Sequence, residues 1–153
     1  GNAEKDVEAA VQAWANAWAA KWPFTPYGGG PMACPAARAV LQVIDDEQLQ
    51  ANAKQVGAQL REVLDGLQRR HEIIGQVRGR GLMLALDLVK DRRTRAPATE
   101  EAAEIFERTR AQGLIVSKSG AHKNMLRMVP PMCLQAGDVA AVAEALEAAF
   151  AGF

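Results

Sequence analysis

Four groups of residues in this sequence are of types that do chemistry. The first is a glycine run, Gly28, Gly29 and Gly30, placed directly before Pro31 and a helical pattern. Backbone N–H groups at a helix start attract anions, and glycine lets a phosphate come close; the simpler reading of the run alone is a plain loop. The second is Arg127, which alternates with Leu126 and Met128 in a short strand pattern ending at Pro130 and Pro131. A strand arginine can hold a carboxylate through two parallel hydrogen bonds; its simpler reading is a solvated side chain on an exposed sheet face. The third is a basic stretch holding Arg69, Arg70, Arg78, Arg80, Arg92, Arg93 and Arg95. Glu72, Asp87 and Asp91 interrupt it and no Phe, Tyr or Trp lies within it, so it reads as a solvated face rather than a nucleic-acid patch. The fourth comprises Cys34, Cys133, His71 and His122. They are too scattered for metal-ligand spacing, both histidines read as ordinary surface residues, and no serine, histidine and acid group suggests a triad. No metal site and no catalytic residue are expected in this chain.

The elements that must position these residues follow from hydrophobic periodicity. Val7, Val11, Trp14, Trp18 and Trp22 recur at spacings of three and four, which predicts a helix over residues 3–21 ending before Pro23. That stripe reads as packing surface rather than a ligand platform. Residues 23–31 form a Gly/Pro loop. A helix follows to about Ile44, with Pro31 and Pro35 in its first turn and Ala37, Val40, Leu41 and Ile44 inward. Asp45 and Asp46 are set to cap a second helix over 47–69, whose stripe is Leu49, Ala53, Val56, Leu60, Val63, Leu64 and Leu67.

From residue 77 to 89 the pattern alternates, with Leu82, Leu84, Leu86 and Leu88 on one face and Met83, Ala85 and Asp87 on the other. This predicts one strand with a bend near Gly79 and Gly81. Thr99 is placed to cap a helix that Gly113 closes. Short strands at 114–117 and 125–129 flank a polar loop, and a last helix covers 137–150. Few strands and a hairpin make the expected fold α+β: a small, mostly antiparallel sheet covered by helices, with an extra N-terminal helix. The expected organisation is a Trp-rich helix at 1–22, the loop at 23–31 and an α+β domain at 32–153.

The 153 residues amount to one domain, long enough to bury a core without disulfides or metals. The 18 basic residues balance 18 acidic ones, which argues against a nucleic-acid partner. No apolar run approaches the roughly 20 residues of a membrane span, and no signal peptide is visible. Unpaired cysteines and five methionines fit a reducing cytoplasm.

Four stretches resemble class III, pyridoxal-phosphate-dependent aminotransferases, the group of alanine–glyoxylate and ω-amino-acid transaminases. Residues 27–34 (YGGGPMAC) and the helix after them are similar to the family's glycine–glycine–asparagine–proline turn. Residues 74–88 (IGQVRGRGLMLALDL), 114–120 (LIVSKSG) and 126–134 (LRMVPPMCL) are similar to later segments, in the same order and spacing. The resemblance covers 27–153 and implies the family's small domain. Residues 6–21 (DVEAAVQAWANAWAAK) instead resemble the first helix of NTF2-like domains, although too few strands follow for such a ligand binder.

The resemblance carries further implications. In the family, a lysine and an aspartate upstream of the glycine turn hold the cofactor; Lys21 lies too close to the turn to be that lysine. Arg127 matches an arginine that binds the substrate carboxylate in several members. A threonine before the turn reaches the phosphate of the partner subunit's cofactor; here Thr25 is set back by Pro26, and Gly30 stands in place of asparagine. The chain is therefore expected to be an isolated or truncated aminotransferase C-terminal domain that holds no cofactor and does not catalyse alone. It would form a homodimer through exposed apolar helices. Two other readings are a component of a split aminotransferase and a non-enzymatic scaffold module, whether a natural fusion or an engineered chimera.

Overall fold

A computed structural model describes residues 29–153 and, upstream, Ala9, Gln12, Ala13 and Asn16. All three tryptophans, and with them the expected Trp-helix packing, lie outside the described residues, as do Lys21 and Thr25. The chain divides into two compact units, residues 1–42 and 43–153. The described elements are α1 (Ala33–Asp46), α2 (Leu49–Arg70), β1 (Ile74–Arg80), β2 (Met83–Leu88), α3 (Thr99–Ala111), β3 (Ser117–Ser119), β4 (Met125–Met128) and α4 (Asp138–Phe150). The strands form one antiparallel sheet in the order β1-β2-β4-β3. The expected α+β class is the observed one.

The long stripe of α2 behaves as its spacing dictates. Val56, Leu60, Leu64 and Leu67 are buried, each large side chain contributing about 2 kcal/mol when fully removed from water. Leu60, Leu64 and Leu67 meet Ile74, Leu84, Leu86, Leu88, Leu126 and Met128 from one face of the sheet, and Ile105, Leu146 and Phe150 from α3 and α4, while Val56 packs in a smaller cluster with Leu82 and Val139. Helices α2, α3 and α4 thus all pack on the same side. On the other side Met83 is 64% exposed, and Arg78, Arg80, Ser117 and Arg127 are exposed with it.

Several local expectations are corrected. The strand expected over 77–89 is a hairpin of two strands, turning at Gly81 and Leu82. Gly81 takes φ +55 at the first of the two turn positions, where such hairpins call for glycine. Gly75 is an extra residue in β1: the register shifts between Ile74 and Gln76, so that Ile74 and Val77 both face the core. Asp45 and Asp46 end α1 and do not cap α2. Gln48 turns the chain there in a left-handed conformation with φ 51, and its amide donates to the Asp45 carbonyl at 2.7 Å. No residue of α1 is buried, where Ala37, Val40, Leu41 and Ile44 were expected inward. Thr99 starts α3 without capping it, because its hydroxyl donates to the His122 carbonyl at 2.8 Å.

Candidate functional site

Antiparallel pairing builds the region around Arg127. Arg78 stands opposite Ala85, Ala85 opposite Arg127, and Arg127 opposite Ser117. Directly opposed residues share a face, so these four form one row across all four strands on the side away from the core. In the next row Gln76, Asp87, Met125 and Ser119 are opposed.

Asp87 was expected on an outward face, yet it is only 8% exposed. Its Oδ2 accepts from Arg78 at 2.8 Å and from Arg95 at 3.0 Å. Its Oδ1 accepts from the Asn124 amide at 3.0 Å, and that amide also donates to the Leu88 carbonyl at 2.7 Å. A carboxylate loses its hydration on this scale only when charges and donors replace it. Arg78 is further tied to Gln76 through its Nε at 3.1 Å. Arg127 is different: among the described residues it enters no ion pair and no side-chain hydrogen bond. Its side chain is exposed.

Beside Arg127, at the end of the sheet, lies a cleft of about 270 Å³. Ser117 and Arg127 are its polar lining; Leu60, Leu114, Pro130 and Val142 are among its apolar walls. A larger open depression of about 670 Å³ lies between α2 and the hairpin, with Lys54, Arg61 and Arg80 around Ala53, Met83 and Met132. Of the glycine run, Gly29 and Gly30 are described. Gly29 has open space where a side chain would be, and the Gly30 carbonyl accepts from Cys34 as α1 begins.

The basic stretch is more structured than a solvated face. Besides the Asp87 pairs, Arg92 donates to the carbonyls of Gln68, His71 and Glu72 at 2.5–3.1 Å. His71 is no surface histidine. Its side chain is 13% exposed, its Nδ1 lies 3.0 Å from the Phe153 carbonyl, and its ring sits 5.5 Å from that of Phe150. Asp91 sits in the 90–97 loop. The Thr94 amide and then the Thr94 hydroxyl hold its carboxyl below the ordinary 3.8, with desolvation opposing them and the Arg93 amide adding a lesser pull downward. Among the described residues no group of three or more His, Cys, Asp or Glu could hold a metal, and no helix is long and apolar enough to cross a membrane.

The described residues by themselves do not fit a pyridoxal phosphate. An imine-forming lysine must sit desolvated in an enclosed site, and all four described lysines are exposed. Lys90 pairs with Glu101 at 3.5 Å and Lys118 lies over the Phe106 ring at 4.9 Å. The buried carboxylate, Asp87, is already shared by two arginines and an amide.

The family model described as aminotransferase class III matches residues 9–150. The chain is 43% identical over 124 residues to alanine–glyoxylate aminotransferase 2 homolog 2, a mitochondrial protein of Arabidopsis thaliana, covering 81% of this chain and 26% of that protein. It is 39% identical over 125 residues to ethanolamine-phosphate phospho-lyase homolog 1 of Caenorhabditis elegans, covering 81% and 27%. Its structure resembles a PLP-bound amine transaminase from an uncultivated Pseudomonas species, with TM-score 0.77 and 43% identity, covering 85% of this chain and 29% of that one. The chain therefore spans about a quarter of the length of the curated relatives it matches. The match over nearly its whole length, with this helix-backed antiparallel sheet, makes the chain a member of the class III aminotransferase family.

Proposed function

We propose that these 153 residues provide the small domain of a pyridoxal-phosphate-dependent aminotransferase, and that Arg127 binds the substrate carboxylate. The observation that carries this reading is the state of Arg127: exposed, in an interior strand, without a partner among the described residues, and at the mouth of a cleft. A guanidinium so placed is held by the strand and open to a planar anion. The cofactor would be held by protein outside these residues, because none of the described lysines is enclosed. When bound, that group supplies the electron sink for amino transfer; the part of this chain is to bind and orient the acid. Alone, the chain is then inactive.

The test is to incubate the purified 153-residue chain with pyridoxal phosphate, then measure alanine–glyoxylate transamination and borohydride-stable labelling. No turnover and no stoichiometric lysine adduct are expected. Labelling of one lysine at full yield would overturn the reading.

We also infer self-association. Met83, Ile115, Val129 and Met132 are large apolar side chains left in water, and uncovered apolar surface favours a partner. Light scattering should report a mass above 16.4 kDa. Two exposed free thiols, Cys34 and Cys133, suit a reducing compartment such as the cytoplasm.

A further inference from the structure

We propose that α1 pairs antiparallel with α1 of a second copy of this chain, with Arg38 of each copy beside Asp45 of the other. This names the seam of the self-association inferred above and rests on it.

The charges of α1 run against its own dipole. A helix is positive at its start and negative at its end, so acids suit the first turn and bases the last. The other described helices keep to this order. Helix α3 has Glu100 and Glu101 in its first turn and Arg108 and Arg110 in its last. Helix α2 ends on Arg69 and Arg70, and α4 begins at Asp138. Helix α1 has no acid in its first turn and no base in its last; it ends instead on Asp45 and Asp46. Its one base, Arg38, enters no ion pair and no side-chain hydrogen bond among the described residues. An antiparallel neighbour supplies what this helix lacks, a positive helix start beside Asp45 and Asp46.

The spacing makes the pattern complementary to itself. Arg38 and Asp45 are separated by about two turns, so they lie on nearly one line of the helix surface. In a two-fold antiparallel pair, that line meets the same line of the other copy running the opposite way. The pairing of Arg38 with Asp45 then occurs twice. A parallel pair would set Arg38 against Arg38 instead.

The apolar face lies next to that line, since Ala37 precedes Arg38 and Ile44 precedes Asp45. Ala33, Ala37, Val40, Leu41 and Ile44 share this face. No residue of α1 is buried, and Val40 and Leu41 are 60% and 63% exposed. Antiparallel pairing centred near Leu41 sets Ala37 of one copy against Ile44 of the other, small against large. The charges and the apolar face thus call for the same partner in the same orientation.

The experiment is sedimentation equilibrium of the 153-residue chain and its variants, with circular dichroism of each. The wild type should pass from 16.4 kDa to twice that mass as concentration rises. Arg38→Asp (R38D) and Asp45→Arg (D45R) each turn two attractions into repulsions and should each weaken the dimer about tenfold. R38D/D45R exchanges the charges and should return the affinity to within about threefold of wild type. An equimolar mixture of R38D and D45R should also associate more tightly than either variant alone. V40S/L41S removes the apolar face and should stay monomeric where the wild type is dimeric. None of these positions is buried, so each variant keeps the fold. A wild type that stays monomeric would overturn the seam and the self-association together. A dimer that R38D, D45R and V40S/L41S leave at full strength would overturn the seam alone, with the copies held by another face. Single losses that neither R38D/D45R nor the mixture reverses would overturn the antiparallel pairing.

Discussion

Gly57 of α2 and Gly81 of the hairpin turn touch backbone to backbone: a Cβ added at Gly57 would lie 2.3 Å from the Gly81 carbonyl carbon and 2.4 Å from its oxygen. Neither side has a flexible group to move aside. Replacing Gly57 by alanine should therefore destabilise the fold by about 3 kcal/mol, the upper range for an overpacked core. Gly66, about two and a half turns nearer the end of the same helix, is the control. There a Cβ meets only the flexible tips of the Arg70 and Arg69 side chains, at 3.4 and 3.7 Å. Alanine at 66 should stabilise by about 0.5–1 kcal/mol through helix propensity. Urea denaturation of the two variants should give opposite signs.

Asp87 fastens β2 to β1, to the 90–97 loop and to the start of β4 through Arg78, Arg95 and Asn124. Its two arginines are 48% and 49% exposed, so water screens each pair. Asp87→Ala should cost about 2 kcal/mol, in the range of hydrogen bonds to a charged group. Arg78→Ala should cost about 1 kcal/mol or less, because Arg95 still answers the carboxylate. Equal losses for the two variants would contradict this division.

The loop carboxyl Asp91 gives a pH dependence with a defined sign. Its folded value lies below 3.8 because the Thr94 and Arg93 amides and the Thr94 hydroxyl hold the charged form. A depressed acid contributes stability above its unfolded value and loses it as pH falls through the folded one. The Thr94 amide, 2.6 Å from Asp91 Oδ1, should shift with an apparent midpoint below 3.8. In Asp91→Asn that titration should vanish, with the Thr94 amide frozen across the acid range.

Phe150 is fully buried at the end of α4, against the His71 ring. Phe150→Ala should cost about 3–5 kcal/mol. His71→Ala should cost clearly less, since its ring is a neighbour of the core and its Nδ1 contacts one carbonyl, that of Phe153. Chemical denaturation of both variants measures the difference.

What could be read from the sequence was what local periodicity encodes. The Val56, Leu60, Leu64 and Leu67 stripe specified α2 and its buried face, because a helix places those residues together whatever lies opposite. Arg127 was legible as an arginine within a strand for the same reason. The hairpin was hidden because Leu82 is buried with Val56 and Val139, which continues the Leu84, Leu86 and Leu88 alternation straight through the turn. The pairing of Gly81 with the residue after it was the available sign. Asp87 sits at a position whose alternation points outward, and its burial depends on Arg95 and Asn124, which arrive from separate segments. The cleft was illegible in the same way: Leu60, Leu114 and Val142 belong to three stretches of chain that only the folded packing joins.

The one-sided backing of the sheet has a consequence for how such a protein changes over generations. Leu126 and Met128 are bound to the helices, so a substitution there is tested by folding itself. Arg127, between them in the same strand, and Ser117 opposite it look the other way and support no packing. Replacements at those two positions can change the outer face while the helix-backed core stays intact. A single strand thus holds two independent inheritances, one constrained by shape and the other open to whatever the outer face meets.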